Sequence, residues 1–235
     1  TRVQELVGAW TESPLTFSVA WTWCETVFEE QQGDDLEKLE KSCARLETQA
    51  QDPLVKALLK FYQLLARGVR QQKAHVYEEM TTLQTLLDEE IPSSRDQRFL
   101  SSIVLQSRAN RLWQEKSPPR KKDPTPAEAE ARNAANWKLW REAEAMLEQA
   151  MKAKQALGDV QGQAINYGIR GNAFLWALRD LDQAQIMFEK DLELIDANGL
   201  ESDRPGVLNR LSLIDMRRIA SCKGSDDKKR LYESA

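Results

Sequence analysis

Apolar residues along this chain recur at steps of three and four, and almost no segment alternates with a period of two. Such steps place side chains on one face of a helix, so the pattern predicts amphipathic helices throughout. They are expected over residues 14–31, 34–50, 53–69, 72–90, 94–115, 126–157, 161–178, 181–197, 204–221 and 225–235. Turn chemistry punctuates them. Gly33-Asp34-Asp35 precedes the second, where an aspartate can cap free amides. Asp52-Pro53 and Thr125-Pro126 read as caps followed by a first-turn proline, whose missing N–H costs nothing there. Pro92-Ser93-Ser94 opens the fifth, and Gly158-Asp159 and Asn198-Gly199 close two later ones. Short connections make neighbouring helices antiparallel. The one long interruption, Lys116 to Pro126, holds four prolines and cannot be helical throughout. It divides the chain into helical hairpins at 1–115, a Pro-rich loop at 116–126 and further hairpins at 127–235.

One spacing repeats. Apolar or small residues fall at 0, +3, +7 and +10 in Leu181, Ala184, Phe188 and Asp191, and again in Trp140, Ala143, Leu147 and Ala150. Leu36, Leu39, Cys43 and Leu46 fill the same places, Val76, Met80 and Leu83 fill the last three, and Ser225, Lys228, Tyr232 and Ala235 fit poorly. A second echo links Arg108-Ala109-Asn110-Arg111-Leu112-Trp113 with Arg170-Gly171-Asn172-Ala173-Phe174-Leu175-Trp176, allowing one inserted residue.

The segment Gly162 to Ile195 resembles a tetratricopeptide repeat, a pair of antiparallel helices of about 34 residues. Tyr167, Gly171, Phe174, Ala184 and Phe188 carry the resemblance, clearest over about 137–197. It implies an all-α, right-handed superhelical solenoid of antiparallel hairpins, continuous through both parts of the chain. Gly171 would let the paired helices approach closely, Ala184 would sit at their crossing, and Phe188 would fill the groove beside it. Asp191 stands where the family prefers Ala, and the first helix carries about one residue too many before Asp180.

Composition narrows the function. Hydrophobic residues make up 41% of the 235 and charged ones 30%, enough for a packed core. The net charge of −4 lacks the basic excess of phosphate binders, so no nucleic-acid partner is expected, and Arg120-Lys121-Lys122 reads as a solvated loop. Cys24 and Cys43 fall on apolar helix positions as small buried hydrophobes, and with Cys222 they form no Cys-x-x-Cys pair. A reducing compartment fits: cytoplasm, or an organelle interior if Thr1 is a processed start. No apolar run approaches the ~20 residues of a membrane span. The start at Thr1 without Met and the end inside a helical pattern read as a fragment or processed product.

Catalytic constellations are not apparent. His75 is the one histidine, no Gly-rich phosphate loop or zinc spacing occurs, and Glu29-Glu30 and Glu89-Glu90 are adjacent on helices and so face apart. A metal or cofactor is therefore not expected. The family resemblance implies a scaffold or adaptor that binds a protein or peptide in a concave groove, where Asn110 and Asn172 match the position after the small crossing residue. Asn209 is a further candidate on that face, and Trp113 and Trp176 are candidate aromatic anchors, since Trp is enriched in interface hot spots. Gly168 and Ile165 occupy the places of the lysines that clamp a terminal carboxylate in one family subgroup, so an extended peptide backbone is the better match. The competing reading is that Asn110 and Asn172 only bridge adjacent helices and the tryptophans are core. Trp10, Trp21 and Trp23 form a second candidate patch, at the N-terminal end. A regulatory sensor whose helices shift on peptide binding is the alternative function, and an enzyme the least favoured.

Overall fold

A computed structural model describes residues 16–30, 34–70, 76–119 and 122–221. Among them all regular structure is helical: α1 (Phe17–Glu30), α2 (Asp34–Gln49), α3 (Pro53–Arg70), α4 (Tyr77–Glu89), α5 (Arg95–Lys116), α6 (Pro126–Leu157), α7 (Val160–Ala173), α8 (Leu181–Asn198) and α9 (Arg204–Ser221). A π-helical turn, Phe174–Leu178, continues α7. The last expected helix, 225–235, and its copy of the repeated spacing lie outside the described residues, as do Trp10, His75 and Cys222.

The helix ends form where the turn residues place them. Asp52 accepts the Leu54 amide at 2.8 Å, and Ser94 accepts the Gln97 amide at 3.0 Å. Thr125 and Glu128 form a reciprocal capping box ahead of Pro126. Gly158 and Gly199 end α6 and α8 with φ of 71° and 67°, a conformation that glycine adopts without strain.

Backbone contacts separate two compact units, residues 1–111 and 112–235, with the division inside α5. In the first unit α3 is the central element, with α1, α2 and α4 all packed on it. Its residues Val55, Leu58, Leu59, Phe61, Tyr62 and Leu64 are buried, which is why this helix reads as apolar on more than one face. Polar contacts fasten its rim: Arg67 pairs with Glu79 of α4 and Arg70 with Glu40 of α2, each at 2.6 Å.

In the second unit α6, α7, α8 and α9 pack in sequence, each on the next. The repeated spacing faces inward. Trp140, Ala143, Leu147 and Ala150 are buried, as are Ala184, Phe188 and Asp191, while Leu181 is half-buried. In the first unit Leu36, Leu39, Cys43, Leu46, Val76, Met80 and Leu83 are likewise buried. An aromatic row joins three segments of the second unit: Trp113 stacks on Trp140 at 6.0 Å, and Trp140 meets Phe174 at 4.7 Å.

Cys24 of α1 and Cys43 of α2 are both fully buried free thiols. A hydrogen bond with Cys43, together with burial, holds the Cys24 thiol well above the ordinary range. A thiol must ionise to react, so this core should protect it. In a Cys222→Ser chain, an aromatic disulfide reagent should label neither thiol in the native state and both after unfolding in guanidinium. Rapid labelling of the native protein would contradict the packing.

Candidate functional site

The crossing of α7 and α8 organises the second unit. A Cβ added at Gly171 would lie 2.6 Å from the Phe188 ring, so only glycine lets the two helices come this close. Phe188 is fully buried at this crossing, and Ala184, one turn earlier on α8, is fully buried too. The N-terminus of α7 is fixed by Asp159, which accepts the Gly162 amide at 2.9 Å and the buried Lys154 ammonium at 3.1 Å. Asp180 caps α8 through the Gln183 amide at 3.0 Å.

Arginines of α9 hold that helix against the hairpin. Arg210 lies over the Phe188 ring, 5.8 Å from its centroid, and its Nε donates to Asn172 Oδ1 at 3.1 Å. Arg217 donates to the Leu175 carbonyl at 2.8 Å and places its guanidinium 4.1 Å from the Trp176 ring centroid. Arg218 reaches Gln185 and Asp182 of α8.

The expected helix over 161–178 changes character at its end, where the extra residue before Asp180 is absorbed as the π turn. Arg179 then takes the left-handed conformation, with φ of 59°, and its amide and that of Asp180 both turn back to the Phe174 carbonyl. The carbonyls of the widened turn are met from both sides. Arg217 serves Leu175, and the Asn136 amide of α6 donates to Ala177 at 3.1 Å. The Asn136 side-chain oxygen has no hydrogen-bond partner, although the residue is only 4% exposed. Such an oxygen costs about 1–3 kcal/mol when it goes unmatched. Asn136 lines an open cleft of about 660 Å³ together with Lys122, Pro124, Arg132, Leu178 and Arg179.

The same insertion separates the fates of two residues in the repeated element. Trp113 and Leu175 each stand four positions beyond the small crossing residue, and both are buried. Trp176 stands one further, a rotation of about 100° on an α-helix, and is 46% exposed. Trp113 is thus core, stacked on Trp140, whereas Trp176 lies at the surface under Arg217. Asn172 is half-buried and bridges to α9 through Arg210, while Asn110 and Asn209 are exposed on α5 and α9. Trp23 is buried and Trp21 half-buried, the latter edge-on to Tyr62 at 5.8 Å and Phe99 at 4.9 Å, inside the first unit's aromatic core. One signal for Asn136 was visible beforehand: it lies four residues before Trp140, a polar residue in line with the buried stripe.

Among the described residues no group of three or more His, Cys, Asp or Glu is placed to hold a metal ion. No described helix is long and apolar enough to cross a membrane. No protein-family model, curated protein or solved structure matches the chain.

Asp191, the departure from the family pattern, is buried on α8, with its carboxylate against the backbone of Gly168 in α7. Burial pushes its pKa from 3.8 up to about 6, Arg210 opposes the rise and Asp203 adds to it. A carboxyl with a folded pKa above its unfolded value favours folding when protonated, so ionisation through pH 4 to 6 weakens the fold. The variant Asp191→Asn should be more stable than wild type above pH 7, by on the order of 2 kcal/mol. The gain should shrink as pH falls through 6 and vanish below about 4. Chemical denaturation across this range measures it; a gain independent of pH would contradict the burial account.

Proposed function

We propose that the chain is a non-catalytic scaffold or adaptor that binds a protein or peptide through a TPR-like face formed by α7 and α9. The observation that carries this reading is the exposed Trp176 indole, covered on its ring by Arg217. Tryptophan and arginine dominate the binding energy of protein interfaces. A cation over the ring holds the indole in one orientation, which lowers the entropy lost when a partner docks on it. Asn209 is exposed on α9 next to Arg210, and Asn172 accepts from that arginine, so amide groups able to donate and accept lie along the two helices. The close Gly171–Phe188 crossing supports the likeness to a tetratricopeptide hairpin. A regulatory sensor whose helices shift on peptide binding is the alternative, favoured by the side-chain contacts of Arg210 and Arg217 that hold α9 against the hairpin and that such a shift would rearrange.

Site-specific photo-cross-linking tests the face. A photoreactive residue at position 209 should capture a discrete partner from cell extract, whereas one at Glu193, exposed on α8, should not. Trp176→Ala should lower capture at 209 at least about tenfold, in line with a hot-spot loss of roughly 2 kcal/mol. Equal capture at both positions, or capture indifferent to Trp176→Ala, would reject this face.

A further inference from the structure

The cleft beside the π turn is a second, separately built feature. Its walls come from the Pro-rich loop, the first turns of α6 and the end of the α7 hairpin segment. Three cations line it: Lys122, Arg132 and Arg179. None has an ion-pair partner among the described residues, and Glu130, which lines the same cleft, pairs with none of them. Asn136 adds an independent observation. Its amide nitrogen is used by Ala177, while its oxygen, almost wholly buried, has no donor. The cleft therefore sets groups that seek negative charge beside apolar surface from Pro124, Ala129 and Leu178, over a buried Asn136 oxygen that has no donor.

We infer that this cleft binds a short acidic peptide segment, its carboxylates on Arg132 and Arg179 and an apolar side chain against Pro124 and Leu178. The cleft is a site apart from the α7–α9 face and takes a ligand of its own chemistry. A volume of about 660 Å³ suits a few residues of extended chain. A simple anion would meet the cations and leave the apolar walls uncovered. The chain carries a net charge of −4, so its overall field repels acidic ligands and only a locally positive cleft would draw them in.

Fluorescence anisotropy on the full chain tests this, with a labelled octapeptide alternating Asp and Leu as probe, and Asn-Leu and Lys-Leu versions as controls. The acidic probe should bind at least about tenfold more tightly than either control, and more weakly as salt rises. Arg132→Gln combined with Arg179→Gly should weaken it at least about tenfold without lowering the unfolding midpoint, because glycine suits the left-handed backbone at 179. Arg132→Lys should retain part of the binding, and the side-chain amide resonance of Asn136 should shift on titration. Absence of acidic-probe binding, equal binding of the controls, or an unaffected double variant would overturn the site. Displacement of the probe by an equal concentration of inorganic phosphate would overturn the peptide assignment. Capture at 209 without probe binding rejects the cleft alone, whereas probe binding without capture at 209 rejects the α7–α9 face alone.

Discussion

The ring of Phe188 occupies the volume that a Cβ on residue 171 would fill, and the second unit depends on that exchange. Glycine in a helix costs roughly 1 kcal/mol relative to alanine. Full burial of a phenylalanine returns more than that, about 1.5–3 kcal/mol. With α7 and α8 held at this distance, Phe188 offers a ring on which Arg210 of α9 rests. The helix that follows the hairpin is thus oriented by the same residue that sets the hairpin's spacing.

The π turn is the second consequence of local chemistry with distant effects. One residue too many between Gly171 and Asp180 cannot be carried in an α-helix without rotating the cap of α8 away from its amides. The chain widens one turn instead and closes it at Arg179 in a left-handed conformation. Carbonyls in that turn then draw side chains from α6 and α9. That is how Trp176 reaches the surface under Arg217 and how Asn136 is left with one amide group matched and the other not. Both candidate binding features, the α7–α9 face and the cleft, originate at this turn.

Helix ends and the buried stripe were readable from the sequence because both are short-range. Thr125-Pro126, Ser94 and Gly158 act within one turn, and the 0, +3, +7, +10 spacing lies on one helix face whatever that face meets. The extra residue before Asp180 was also countable. Its outcome was not, since the exposure of Trp176 depends on how the turn absorbs it. Arg132, Asn136 and Arg179 gave little warning as a group: residues 132–136 and 177–179 are brought together only by packing of α6 on α7. Trp21 and Trp23 read as part of an N-terminal candidate patch. Both find cover because the core around α1 is broad, with Tyr62 and Phe99 beside Trp21.

A double-mutant cycle on Gly171→Ala and Phe188→Leu tests the governing contact most directly. If the two positions contend for one volume, Gly171→Ala should destabilise the wild type clearly. In the Phe188→Leu background it should be neutral or stabilising, with a coupling of about 2 kcal/mol. Effects that add to within about 0.5 kcal/mol would show that the ring and the glycine are not in competition, and the account of the hairpin would fail.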